Sequence, residues 1–309
     1  MAMDLTTSII IPVYRGELTI QPLVERLFAV LGDGLHQVVL VNDFSPDNSD
    51  TVCRDLHRQY APRLTYLSLG RNFGEHNAVM AGLNHATGDY MVIMDDDFQN
   101  PPEEVSRLVS HAISTQSDVV YSFYKKKKHH FFRNLGSRLV NSVATWLIGK
   151  PGNLYLSSFK CINRWLCNEI RKYDGPYPYI DGLILSRTSR IGRIEVQHNP
   201  REVGRSSYTL SKLISLAIRV FVNFSVVPLR LSALLGIVLS LLGGCFGVYV
   251  VLEKLANPEL QVGWPSLMTA VLVFSGVQLI MLGLLGEYLG RLYLTVNRMP
   301  QFSIREVLE

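Results

Sequence analysis

Over its first 123 residues the chain alternates short apolar runs with segments of helical periodicity. Ser8–Ile11, Gln37–Val41, Leu64–Leu69, Tyr90–Met94 and Val119–Phe123 read as buried strands. Between them, Ile20, Leu23, Val24, Leu27, Phe28 and Leu31 recur at the spacing of one helix face, and so do Val105, Leu108, Val109, Ala112 and Ile113. Asn100-Pro101-Pro102-Glu103 predicts the start of the second of these helices: a capping Asn, a proline at the first helical position and a carboxylate three residues after the cap. This alternation predicts an α/β fold with a mostly parallel sheet and helices on both faces. Ligands of such sheets sit beyond the C-terminal ends of the strands.

The pattern then changes. Leu231–Leu252, bounded by Arg230 and Glu253, holds no charge. Neither does the stretch between Glu259 and Glu287, most apolar at Pro265–Gly286. Each exceeds the roughly 18 apolar residues that suggest a membrane-spanning helix. A pair of buried core helices is the alternative, but those usually run about 8–20 residues. Between the two patterns, Tyr208–Val226 places Leu210, Leu213, Ile214, Ala217, Ile218 and Phe221 on one face. It reads as a helix lying on a membrane surface or as a core helix.

Composition sharpens this picture in two ways. Charged residues are only 18% of the chain, which excludes a disordered polymer. The charge is also segregated: residues 1–124 carry a net −9 and residues 125–230 a net +14. A basic block just before an apolar span suggests anionic lipid or phosphate; no known nucleic-acid motif accompanies it. The Lys125–Lys128 run with His129 and His130 reads as a solvated loop touching headgroups, a phosphate clamp or a metal tract. Arginines flank both spans and the loop between them holds one lysine, so both termini are expected in the cytoplasm. Cys53, Cys161, Cys167 and Cys245 have no metal spacing and fit a reducing compartment.

The candidate chemistry lies at the predicted strand ends. These carry Pro12-Val13-Tyr14-Arg15-Gly16-Glu17, Asn42-Asp43-Phe44-Ser45, Gly70-Arg71-Asn72-Phe73-Gly74 and Asp95-Asp96-Asp97-Phe98-Gln99. Three adjacent carboxylates repel, and a hard divalent cation would relieve that repulsion. Strand alternation would put Asp95, Asp97 and Gln99 on one side and turn Asp96 away. Asp43 and Glu17 suit polar contacts to a nucleoside. Neither GxGxxG after the first strand nor GxxxxGK[ST] occurs, which argues against a dinucleotide oxidoreductase and a P-loop NTPase.

These motifs resemble the GT-A family 2 glycosyltransferases, in their polyprenyl-phosphate branch of bactoprenol glucosyltransferases and dolichol-phosphate mannose synthases. The similar residues run from Ile9-Ile10-Ile11-Pro12-Val13-Tyr14 through Arg71-Asn72-Phe73-Gly74 to Met94–Glu103, and on to Arg201–Tyr208, Phe224–Arg230 and Gly286–Arg291. Asn42 stands where the family often has Asp, and Phe44 where it often has Gly.

The resemblance implies a cytoplasmic GT-A catalytic domain over 1–207 and a juxtamembrane interfacial helix over 208–230. Two spans at about 231–252 and 265–288 would follow, and a tail over 291–309, all in a multi-pass protein of the inner or plasma membrane. It implies inverting transfer from a nucleotide-sugar, UDP-glucose above all, to a polyprenyl phosphate. GDP-mannose, UDP-GlcNAc or a modified pentose are the alternative donors, and a non-catalytic nucleotide-sensing anchor is the alternative function. Mg²⁺ or Mn²⁺ would sit on Asp95, Asp97 and Gln99. Pro12, Tyr14, Glu17, Asp43, Asn72 and Asp96 would face the donor. Arg201 would hold the leaving phosphate, and Arg205, Ser206, Tyr208 and Lys212 would lie towards the diphosphate or the acceptor. Apart from the resemblance, Arg133 and Arg138 follow the basic loop and read either as holding the acceptor phosphate or as solvated or lipid-facing cations. Membrane lipids and further copies of the chain are the expected partners, and nucleic acid is not.

Overall fold

A computed structural model of the chain describes residues 5–124, 154–197, 227–257 and 263–309. The juxtamembrane helix expected over 208–226, the Lys125–His130 run, Arg133, Arg138, Arg201, Arg205, Ser206, Tyr208 and Lys212 lie outside the described residues. The chain divides into two compact units. One comprises Met1–Ile214 with Arg298–Glu309, the other Ser215–Asn297.

The first unit is built on β1 (Thr7–Val13), β2 (Leu35–Asn42), β3 (Leu64–Leu69), β4 (Tyr90–Ile93) and β5 (Val119–Phe123). To these it adds β6 (Lys160–Asn163), β7 (Ile191–Glu195) and β8 (Ile304–Leu308). They form one sheet in the order β7-β5-β6-β4-β1-β2-β3-β8. β4, β1, β2 and β3 are parallel to their neighbours in that order, with Ile10 beside both Val39 and Ile93. The expected parallel sheet is therefore its centre. β6 runs antiparallel to both β4 and β5, and β8 antiparallel to β3.

The helices are α1 (Ile20–Leu31), α2 (Ser49–Tyr60), α3 (Glu75–His85), α4 (Glu103–Thr115), α5 (Arg164–Arg171) and α6 (Ile180–Arg187). Successive strand residues point to opposite faces, so two cores form. Ile9, Ile11, Val38 and Leu40 pack with α1, α2 and α4; Ile10, Val39 and Val41 pack with α3, α5 and α6. A Cβ on Gly82 would come 2.4 Å from Ile10 Cγ2, so α3 lies against β1 at a distance only glycine allows.

Two local expectations change. Asn100 does not cap α4, which starts at Glu103; its buried Oδ1 accepts a hydrogen bond from the Tyr124 hydroxyl at 2.7 Å. The expected tail also divides. An apolar helix runs on to Val296, and Ile304–Leu308 return to the first unit as β8. Arg54 holds that strand: its Nη1 and Nη2 donate to the two Glu306 carboxylate oxygens at 3.0 and 2.6 Å, while its Nε donates to Asp50 at 2.8 Å.

The second unit consists of α7 (Val227–Ala256) and α8 (Trp264–Val296). Leu229–Glu253 and Leu267–Val296 have mean hydropathies of 2.3 and 2.2 and are long enough to cross a membrane. Leu241, Phe246, Leu279 and Ile280 are each about two-thirds exposed or more, so this unit does not bury its own apolar surface.

Candidate functional site

The crevice at the C-terminal ends of β1, β2, β3 and β4 is assembled by turn-to-turn hydrogen bonds. The Arg15 amide donates to Ser45 Oγ at 2.7 Å, and the Gly16 amide to Ser49 Oγ at 3.0 Å. The Glu17 amide donates to Asp47 at 3.2 Å, and Glu17 accepts from the Asn48 amide at 3.0 Å. Burial works against ionisation of Asp47, but donors on Ser45, Ser49 and the Glu17 backbone outweigh it and hold the carboxyl below its usual range. The turn after β1 and the turn after β2 thus behave as one piece.

Asp43 ties in the third turn. It is 3% exposed, and its two oxygens accept the Phe73 and Gly74 amides at 2.7 and 2.8 Å. Burial raises its pKa, and those two amides oppose the rise. Asn72 donates to the Asp43 carbonyl at 3.3 Å. Pro12 stays within β1 opposite Val41, half-buried, whereas Tyr14 is exposed at the crevice.

β4 stops at Ile93, so strand alternation does not carry through the acidic triplet. Asp95 accepts from Ser158 Oγ at 2.5 Å, and Asp97 accepts from the Gln99 amide at 3.2 Å. Asp96 is not turned away as alternation suggested. It faces the first turn and accepts from the Tyr14 amide at 3.3 Å. A Cβ on Gly16 would come 2.5 Å from Asp96 Oδ2, so glycine is what admits that carboxylate. Burial, and then repulsion from Asp95 and Asp97, push the Asp96 carboxyl up to about 7 against the Tyr14 amide.

The triplet gathers three carboxylates at the end of one strand. Its hard oxygen donors fit Mg²⁺ or Mn²⁺. Among the described residues no three His, Cys, Asp or Glu side chains form a ready-made cage. A cation on Asp95, Asp97 and Gln99 would need further oxygens from substrate and water.

Three non-glycine residues at the ends of β1, β2 and β4 have left-handed backbones: Arg15 (φ 60), Phe44 (φ 53) and Phe98 (φ 58). Each such position costs of order 1–3 kcal/mol, and such outliers gather at functional sites.

The sequence reading missed the far wall of the crevice. Glu75, the first residue of α3, is exposed at its surface yet closely surrounded by protein groups. This burial and the Asp95 charge raise it to about 7; Lys160 opposes the rise and Asp181 adds to it. Lys160 stands on β6 opposite Ile93, 4% exposed, and forms an ion pair with Asp181. Asp181 also accepts from the Tyr121 hydroxyl at 2.9 Å. His76, edge-on to Tyr179 at 5.1 Å, is kept below its usual pKa by burial. A charged residue straight after the third turn was the available signal for Glu75. Nothing in the chain pattern pairs Lys160 with Asp181.

A sheet covered by helices on both faces, with linked polar turns and an acidic triplet at its strand ends, is the architecture in which α/β enzymes bind ligands at the strand ends. Comparison with known proteins narrows it. Residues 8–169 match Glycosyl transferase family 2, and residues 227–292 match the GtrB C-terminal hairpin. The chain belongs to glycosyltransferase family 2 and is an enzyme of that kind. It is 34% identical over 306 residues to an undecaprenyl-phosphate 4-deoxy-4-formamido-L-arabinose transferase of Edwardsiella ictaluri (strain 93-146), covering 97% of this chain and 94% of that one. The Yersinia pestis (strain Pestoides F) protein of the same name is 33% identical over 305 residues, covering 97% and 93%. Among solved structures, Mycobacterium tuberculosis glucosyl-3-phosphoglycerate synthase with Mg²⁺ and UDP superposes with a TM-score of 0.54 at 18% identity, over 71% of this chain and 77% of that one. The same enzyme with Mn²⁺ and UDP-glucose gives 0.51 at 17%, over 71% and 77%. At these identities the likeness is one of fold.

Proposed function

We propose that this enzyme transfers a sugar, with inversion, from a UDP-sugar to undecaprenyl phosphate at the cytoplasmic face of a bacterial inner membrane. The observation that carries this reading is the acidic triplet after β4, facing linked strand-end turns, in a chain that also holds an apolar hairpin. The acceptor follows from the relatives' names over nearly the whole chain. The donor sugar is either a modified pentose such as the relatives' formamido-arabinose or, by the resemblance of the strand-end motifs, glucose.

An acceptor phosphate is already anionic near neutral pH, with a second pKa of about 6 by analogy with phosphoamino acids. It needs no general base to become nucleophilic. The protein's task is to align that oxygen behind the anomeric carbon and to stabilise the departing diphosphate. Asp95, Asp97 and Gln99 would hold a divalent cation, which when bound supplies Lewis-acid stabilisation of the diphosphate. Asp96 buttresses the Tyr14–Gly16 turn beside it. Arg201 is assigned to the leaving phosphate, and Arg205, Ser206, Tyr208 and Lys212 by resemblance to the diphosphate or the acceptor; Arg133 and Arg138 are assigned to the acceptor phosphate from their place after the basic loop. Two spans are too few to enclose a lipid path, so a homo-oligomer is part of the proposal.

The test is a donor panel with MnCl₂ or MgCl₂ and undecaprenyl phosphate, scored for labelled lipid. UDP-glucose, UDP-GlcNAc, GDP-mannose and the UDP-linked formamido pentose make up the panel. A labelled lipid that disappears on chelation supports the reading. No lipid product from any donor, or full activity in chelator, overturns it.

A further inference from the structure

The Asn42–Ser45 turn has committed its polar groups to the protein. Asn42 is buried; its Nδ2 donates to the Tyr66 hydroxyl at 3.1 Å and its Oδ1 accepts the Ser45 amide at 2.9 Å. Asp43 is buried on two backbone amides, and Ser45 Oγ donates to Asp47 at 2.5 Å while accepting from Arg15. What this turn turns outward is the ring of Phe44, 52% exposed. That ring stands on a left-handed backbone, φ 53, where a bulky side chain is out of place and Gly or Asn would be at ease.

Half of this ring's surface stays in water, and its left-handed backbone costs of order 1–3 kcal/mol. The turn after β1 carries another exposed ring, Tyr14, 46% exposed, one residue past the Val13–Asn42 pair that ends the β1–β2 register. The Asp43 amide donates to the Val13 carbonyl at 3.1 Å and the Arg15 amide to Ser45, so the turns bearing the two rings are locked together. Strand neighbours lie about 4.8 Å apart. Two aromatic faces on linked turns at the rim of a diphosphate crevice are chemically suited to a flat heterocycle.

We propose that Phe44 is a specificity-determining residue that contacts the nucleobase of the donor, and that the strained turn is kept because it presents this ring. The inference rests on the transferase reading above and deepens it. It separates two parts of donor recognition: the carboxylates after β4 serve the diphosphate, and the ring of Phe44 serves the base.

The experiment compares the wild-type protein with Phe44→Gly, Phe44→Asn and Phe44→Tyr in detergent with MnCl₂. Dissociation constants are measured for UDP and for inorganic pyrophosphate, together with the melting temperature. Gly and Asn should weaken UDP binding about tenfold, the scale of one lost base–aromatic stack. Pyrophosphate binding should stay unchanged, and the melting temperature should hold or rise as the backbone relaxes. Tyr should retain UDP affinity. UDP binding equal to wild type in the Gly variant overturns the inference. Equal losses for UDP and pyrophosphate also overturn it, since they mean a collapsed crevice. A wild-type protein that binds no nucleoside diphosphate overturns the transferase reading as well, which distinguishes the two failures.

Discussion

The two units use the same apolar residues in opposite ways. In the sheet unit Ile9, Ile10, Ile11, Leu40 and Val41 are wholly buried, each between a strand and a helix. In the hairpin Leu241, Leu242, Val248 and Leu252 are about 60% exposed or more. The first unit makes its own apolar environment and spends its polar groups at the strand ends. The second leaves its apolar side chains uncovered and depends on an apolar environment supplied from outside. Burial therefore measures folding in one unit and leaves unfilled contacts in the other.

The largest expected effect lies at the polar rim of the first unit. Asp97→Ala should cost several kcal/mol of transition-state stabilisation, a thousandfold or more in turnover, with the fold retained. Steady-state rates and a melting curve check both halves. Near-normal turnover would remove the cation assignment.

Core packing comes next. Ile10→Ala should destabilise the sheet unit by about 2–5 kcal/mol. Leu241→Ala, the same kind of truncation in the hairpin, should leave nucleotide binding and the melting of the sheet unit unchanged. If both truncations destabilise the sheet unit alike, the contrast between the units is wrong. Gly82→Ala sharpens the point: the added methyl meets Ile10 Cγ2 at 2.4 Å, and overpacking of this kind costs about 1–3 kcal/mol.

The smallest effect concerns the strand that follows the hairpin. Hydrogen bonding from Arg54 holds the Glu306 carboxyl below its usual range; for Asp50, Arg54 and Tyr66 overcome an opposing burial effect and do the same. A depressed carboxyl adds stability above its unfolded pKa, near 4, and loses it as pH falls through the folded value. Arg54→Ala should therefore lower the melting temperature slightly at pH 7, and the difference from wild type should shrink below pH 4. A gap that stays constant down to pH 3 would mean that Arg54 acts through packing rather than charge.

The elements legible in the sequence were those whose signal is local. The runs at β1 to β5 are continuous and apolar, the α1 and α4 faces keep helical spacing, and the hairpin shows as two stretches without charge. β6 was not legible because Lys160-Cys161-Ile162-Asn163 is four residues long and carries a lysine. β8 alternates apolar and polar residues in a segment that looks like a tail. Asn100 has the right residue type for a cap, but Tyr124 occupies it. Glu75 escaped notice because its importance comes from facing Asp95 and Lys160, which the chain brings in from elsewhere.

The sequence alone determined where the chain must be apolar, where it must turn and which residue types crowd the strand ends, since periodicity and adjacent charges act over a few positions. Only the tertiary structure decided that Asp96 faces Tyr14, that Asp43 is buried, that Lys160 meets Asp181 and that Glu306 returns to Arg54. Those pairings join residues 21 to 252 positions apart, and their energy depends on burial, which no local stretch of sequence encodes.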